Sequence, residues 1–297
     1  MPIRSTFSLL LALIIQFSSA LLAARGAETT DPTAKDDAAP TFLRISKDAD
    51  GKPQALQTAI VRYADPNNPA ITVDLVGAVH IGEQAYYDQL NKEFTNYEAL
   101  LYEIVAPKGT RIPKGGPPKG RSAVSGLQNG MKDMLGLEFQ LEQVDYTPEN
   151  FVHADMSPQE MAADMAERGD GFLQMFARIL GAGLVQQSKQ GEDMNAAMLM
   201  ALFAKDRQLQ MKRLFASQMD DMDAQMRAIE GDKGSTLISQ RNAKAFEVLR
   251  EQLDAGKKTI GVFYGAGHFA DMHRRLVNDF GLQPQSTRWL NAWDLTK

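Results

Sequence analysis

Strand-like apolar runs that lead into amphipathic helical patterns mark this chain as α/β, with a mixed, mainly parallel sheet flanked by helices. Two such runs, Ala70–Val76 (AITVDLV) and Lys258–Tyr264 (KTIGVFY), end in nearly the same words. These are Val76-Gly77-Ala78-Val79-His80 and Tyr264-Gly265-Ala266-Gly267-His268. A glycine-rich turn lets the backbone bend sharply after a strand. The residue that follows then lies at the open carboxyl end of the sheet, where α/β proteins keep their chemistry.

The elements follow in order along the chain. Arg4 precedes an apolar run from Phe7 to Ala24, which gives residues 1–27 the layout of a signal peptide. Ser18-Ser19-Ala20 fits the small-x-small cleavage rule, whereas Ala27 has Arg25 three positions before the cut. The run is also close to the length of a membrane anchor. The chain is therefore expected to be exported, periplasmic or secreted, with membrane association through this segment if it is retained. Residues 28–40 read as a disordered linker, polar and bounded by Pro32 and Pro40. Residues 41–297 form the remaining domain.

Strands are expected at Thr41–Ser46, Leu56–Tyr63 and Ile71–Val76, with a turn at Asp65-Pro66-Asn67-Asn68-Pro69. A helix follows over Gly82–Thr95, then a buried strand in Ala99–Val105 (ALLYEIV). Pro107–Ser125 is a Gly- and Pro-rich loop carrying Lys108, Arg111, Lys114, Lys119 and Arg121, read as a solvated segment or an anion-contacting lid. Alternation predicts a strand over Leu137–Asp145. Ser157-Pro158-Gln159-Glu160 supplies an N-cap, a first-turn proline and a capping-box glutamate. Residues 158–230 read as a helical insertion rich in methionine, a side chain that usually fills irregular cores. A helix over Ser235–Ala255 stops at Gly256. Strand Lys258–Tyr264, helix Phe269–Phe280 and strand Gln285–Trp293 close the chain.

Composition narrows the chemistry. With 297 residues, 44% of them hydrophobic, the chain can build one large core or two modest ones. A net charge of −5 argues against nucleic acid as the main partner. The sequence has no cysteine, which excludes a thiol nucleophile and a disulfide framework and leaves only nitrogen and oxygen ligands for a metal.

The chain has four histidines, and two of them, His80 and His268, occupy the same strand–GxxH–helix setting. Histidine is the commonest nitrogen ligand, so the pair could chelate one ion. Glu103 lies inside the apolar run Leu100–Val105, near its carboxyl end, and would be costly if buried without a cation. His80, Glu103 and His268 are thus the candidate metal ligands, with Glu103 also a candidate proton shuttle. Taken singly, each histidine could as well cap a helix or satisfy a core hydrogen bond. Arg241 and Asn242 could orient a carboxylate or substrate carbonyl, or be a solvated pair; Tyr264 could steady an oxyanion. His153-Ala154-Asp155 reads as a turn or as a supporting contact. His273 is expected on a helix surface.

Gly77-Ala78-Val79-His80, Leu101-Tyr102-Glu103, Arg241-Asn242 and Phe263-Tyr264-Gly265-Ala266-Gly267-His268, in that order, resemble the TraB/GumN/Tiki family. The resemblance covers roughly residues 56–105 and 235–295. It implies a fold similar to erythromycin esterases and haem-binding ChaN-like proteins. It also implies a divalent-metal-dependent hydrolase, with protease activity known for the Tiki branch. Carried onto this chain, it makes His80, Glu103 and His268 the metal and catalytic centre, with Arg241 and Asn242 as supporting polar residues. Gln240 departs from the pattern, since relatives often have Glu there, and the methionine-rich segment is poorly matched. The expected cofactor is a divalent ion, manganese, cobalt or zinc, and the expected partner a peptide or protein substrate. The alternative is a non-enzymatic protein of the same fold that binds haem, iron or a peptide.

Overall fold

The long strand β2 (Pro53–Asp65) organises one half of the sheet, because three strands pair with it. β1 (Leu43–Lys47) and β3 (Asn68–Ala78) share one edge of β2 end to end, and both run antiparallel to it. The computed structural model describes residues 41–116, 132, 134–167, 197–219 and 236–297. The signal segment, the linker, residues 117–125 of the basic loop and much of the helical insertion lie outside the described residues.

The turn between β2 and β3 forms as its residues dictate, with the Asp65 carboxylate accepting from the Asn67 amide at 2.8 Å. Past β3 comes β4 (Ile81–Gly82), then α1 (Gln84–Phe94), which buries Tyr86, Tyr87, Leu90 and Phe94 at helical spacing. β5 (Ala99–Tyr102) is buried throughout. The Leu137–Asp145 stretch departs from its predicted strand. Only β6 (Glu138–Phe139) pairs as a strand, with β4, and the chain then winds into a single helical turn, α2 (Gln140–Gln143). β7 (Phe151–His153) follows.

α3 (Pro158–Glu167) begins with the expected capping box: the Glu160 amide donates to Ser157 Oγ at 3.1 Å, and the Ser157 amide donates to Glu160 Oε2 at 2.7 Å. Residues 197–203 are helical, and α4 (Arg207–Met219) comes after them. In this region Met161 and Met211 are core residues, whereas Met198 and Met200 are exposed. A π-helical turn over Thr236–Gln240 runs into α5 (Arg241–Asp254). β8 (Thr259–Gly265), a 3₁₀ turn at Ala266–His268, α6 (Phe269–Asn278) and β9 (Gln283–Asp294) complete the order. Among the described residues, no helix is long and apolar enough to cross a membrane.

The main sheet has seven strands, and its other half is parallel, in the order β3-β8-β5-β7. These strands read as continuous apolar runs because they are covered on both faces. Gly261 in β8 has no room for a side chain: an added Cβ would lie 2.6 Å from Leu100 and 2.8 Å from the Tyr97 ring. The aromatic core beneath the carboxyl edge includes Phe94 against Phe263, with centroids 4.6 Å apart, and Tyr102 against Tyr146 at 5.2 Å.

Candidate active site

Each parallel strand delivers one polar side chain just past its carboxyl end: β3 leads to His80, β8 to His268, β5 to Glu103 and β7 to Asp155. The two glycine-histidine words are neighbours, as the sequence suggested. Gly77 pairs with Tyr264 and Ala78 with Gly265 in parallel register, so the words lie side by side, staggered by one residue.

Glu103 is held at both oxygens. Its Oε1 accepts from Arg241 at 2.7 Å, and its Oε2 accepts from the Gly265 backbone amide at 2.7 Å. Burial alone would raise the Glu103 carboxyl. Arg241 outweighs that, together with His268 and His80, and holds it well below the usual carboxylate range. Arg241 opens α5 and is buried, reaching Glu103 and also Asp155, whose Oδ1 accepts from Nε at 2.9 Å and whose Oδ2 accepts from a terminal nitrogen at 2.5 Å. Burial alone would lower Arg241, but the two carboxylates raise it well above its ordinary value. Two largely buried carboxylates thus share one guanidinium.

His268 is oriented from behind. The Asn242 amide nitrogen donates to the His268 carbonyl at 3.1 Å and to Asp271 at 2.9 Å. Its oxygen therefore faces the ring, 2.7 Å from Nδ1, so Nδ1 carries the hydrogen. Nε2 is left facing Glu103 Oε1 at 3.5 Å. That gap is too long for a charge-assisted hydrogen bond, which runs about 2.7–2.9 Å. It matches the spacing of two ligands on one tetrahedral ion, about 3.4 Å for bonds of about 2.0–2.1 Å. On donor type and separation, Glu103 and His268 fit a divalent cation.

His80 is exposed as a residue, while its ring feels Glu103, Arg241, His268 and Gln140. Burial lowers it below the ordinary imidazole value, Arg241 and His268 push the same way, and Glu103 opposes them, so the ring is neutral near neutral pH. Among the described residues, no three His, Asp or Glu side chains converge at ligand spacing.

Several residues take places other than those expected. The Tyr264 hydroxyl is buried and donates to the Ala154 carbonyl at 2.5 Å, which commits its one proton to the protein rather than to an oxyanion. Arg241 bonds the Glu103 and Asp155 carboxylates, and Asn242 bonds His268 and Asp271, in keeping with the carboxylate-orienting alternative rather than with a solvated pair. His153 donates through Nε2 to the Ile104 carbonyl at 2.7 Å, a structural bond. His273 is half-buried rather than on the surface, 2.8 Å from the Tyr63 hydroxyl. Sequence reasoning underweighted Asp155 and passed over Asp271. Asp155 had the signal that singled out Glu103, an acid just beyond an apolar strand.

Compared with protein-family models, curated proteins and solved structures, the chain gives no match.

Proposed function

We propose that this chain is an exported, divalent-metal-dependent hydrolase that cleaves peptide bonds in peptide or protein substrates. The observation that carries the metal reading is the 3.5 Å gap between His268 Nε2 and Glu103 Oε1, with Asn242 holding the opposite ring nitrogen. A buried ligand histidine characteristically donates its other nitrogen to an oxygen acceptor, and Asn242 Oδ1 is that acceptor. The choice of peptide substrates and of export rests on the resemblance to the TraB/GumN/Tiki family and on the apolar run Phe7–Ala24.

Bound there, a divalent ion would polarise a carbonyl and lower the pKa of a water molecule. The chain supplies the rest. Glu103 provides the negative charge, and Arg241 and the Gly265 amide keep it ionised and fixed in direction. Fixed by Arg241 at one oxygen and the Gly265 amide at the other, Glu103 serves as a ligand rather than a proton shuttle. Asp155 keeps Arg241 in place, and His80 offers a neutral imidazole to the same sheet edge.

The test is titration of purified, metal-stripped protein with manganese, cobalt or zinc, followed by turnover of a peptide library. Wild type should bind and cleave, and Glu103→Gln and His268→Ala should do neither. With no group of three His, Asp or Glu side chains at ligand spacing among the described residues, the rival reading is a haem-, iron- or peptide-binding protein of the same fold. A Soret band on haem titration without turnover would establish it.

A further inference from the structure

The small pairing of β4 with β6 brings a residue outside the set above against His80. Ile81 pairs with Phe139 and Gly82 with Glu138, so one further step of the same register sets Gln140 opposite His80. The Gln140 amide donates to the His80 carbonyl at 2.9 Å. Directly opposed residues of an antiparallel pair project to the same face, with Cβ atoms about 4.5–5.5 Å apart.

The Gln140 side chain is buried, and its two ends are treated differently. Nε2 donates to the Tyr146 hydroxyl at 2.9 Å, an anchor held by tilted and edge-on ring contacts with Tyr102, Phe151 and Phe263. Oε1 is buried without a hydrogen-bond partner. An orphaned buried acceptor is costly, so it marks a partner that is close but not yet aligned. Opposed to Gln140 across the β4–β6 register, the His80 ring is the side chain that its amide can reach.

We infer that Gln140 is the positioning residue of His80: its Oε1 accepts the hydrogen of one ring nitrogen, leaving the other as a lone pair directed at Glu103 and His268. The inference deepens the metal-site reading and rests on it for its purpose. It gives the two histidines matching supports, Asn242 behind His268 and Gln140 behind His80. A carboxamide suits this task because it selects one tautomer without adding a charge that would favour imidazolium.

The experiment is a long-range proton–nitrogen spectrum of full-length, metal-free protein labelled at histidine nitrogen. The chain has four histidines, and His80→Ala assigns the relevant ring. Wild-type His80 should show one protonated and one lone-pair nitrogen. In Gln140→Leu the two His80 signals should move toward a common averaged position while those of His268 stay in place. Asn242→Ala should do the reverse. Gln140→Met, close to glutamine in length, keeps the test alive if the leucine variant fails to fold. Unmoved His80 signals in either folded variant, or averaged ones in wild type, would overturn the assignment. Absence of metal binding by wild type would overturn the proposed function but not this assignment, because the spectra are recorded without metal.

Discussion

Asp155 grips Arg241 at two points, with Oδ1 against Nε and Oδ2 against a terminal nitrogen, and its own side chain is wholly out of solvent. Breaking a buried pair from one side costs about 3–5 kcal/mol when the remaining charge has no other partner. Arg241 keeps Glu103 at 2.7 Å, so Asp155→Ala should lose somewhat less than that in urea unfolding, on the order of 2–4 kcal/mol. Asp50→Ala, which removes an exposed partner of Lys52, should change stability by less than about 0.5 kcal/mol. Equal effects of the two substitutions would show that the Arg241 cluster is not the buried network described.

Asn242 acts through His268 and not on substrate. Asn242→Ala should weaken metal binding by about 10–100-fold, the usual effect of removing a partner that orients a ligand histidine. Calorimetric titration of the stripped protein measures this, and wild-type affinity in the variant would mean that His268 is held by other contacts.

His273 ties stability to pH. Burial lowers its pKa from the ordinary value of 6.5, and its Nδ1 lies 2.8 Å from the Tyr63 hydroxyl. A group whose folded pKa is depressed contributes stability that is present above the unfolded value and lost as pH falls through the folded one. Stability should decline from about pH 6.5 downward, before most carboxylates titrate. His273→Asn should flatten that limb. Unfolding free energies measured at intervals between about pH 7 and 5 check this, and parallel curves for variant and wild type would rule it out.

Gly261→Ala should destabilise the sheet by about 1–3 kcal/mol, the range for overpacking. The new methyl would meet Leu100 and Tyr97, and the Tyr97 ring cannot swing away freely because its hydroxyl donates to the buried Asp74 at 3.0 Å. Thermal unfolding would report the loss.

Much of the parallel half was legible in the sequence because its signals are local. A run such as Thr259–Gly265, with a glycine word and a helix behind it, carries its own direction, so His80, Glu103 and His268 could be assigned to one sheet edge. Ser157 and Glu160 were legible for the same reason, since a capping box is complete within four residues. What stayed hidden depends on distant register. The amide of Gln140 acquires meaning only because Ile81 pairs with Phe139, and the alternation of residues 137–145 gives no hint that the strand turns to helix after two residues. His273 looked superficial because its partner, Tyr63, comes from β2 at the other end of the sequence. The direction of a hydroxyl, which decides the part Tyr264 plays, is not written in any spacing.

The outer edge of β2 is covered by β9, with Ala55 opposite Asp294 and Ala64 opposite Gln283. β2 therefore waits for more than two hundred further residues to be synthesised before its partner exists. Throughout translation β2 offers an unsatisfied hydrogen-bonding edge, the kind that recruits strands from other molecules. The nascent chain depends on that edge staying apart from its neighbours until residue 294 has emerged, so removal of the last dozen residues of β9 would be felt first as aggregation during synthesis and only secondarily as lost stability.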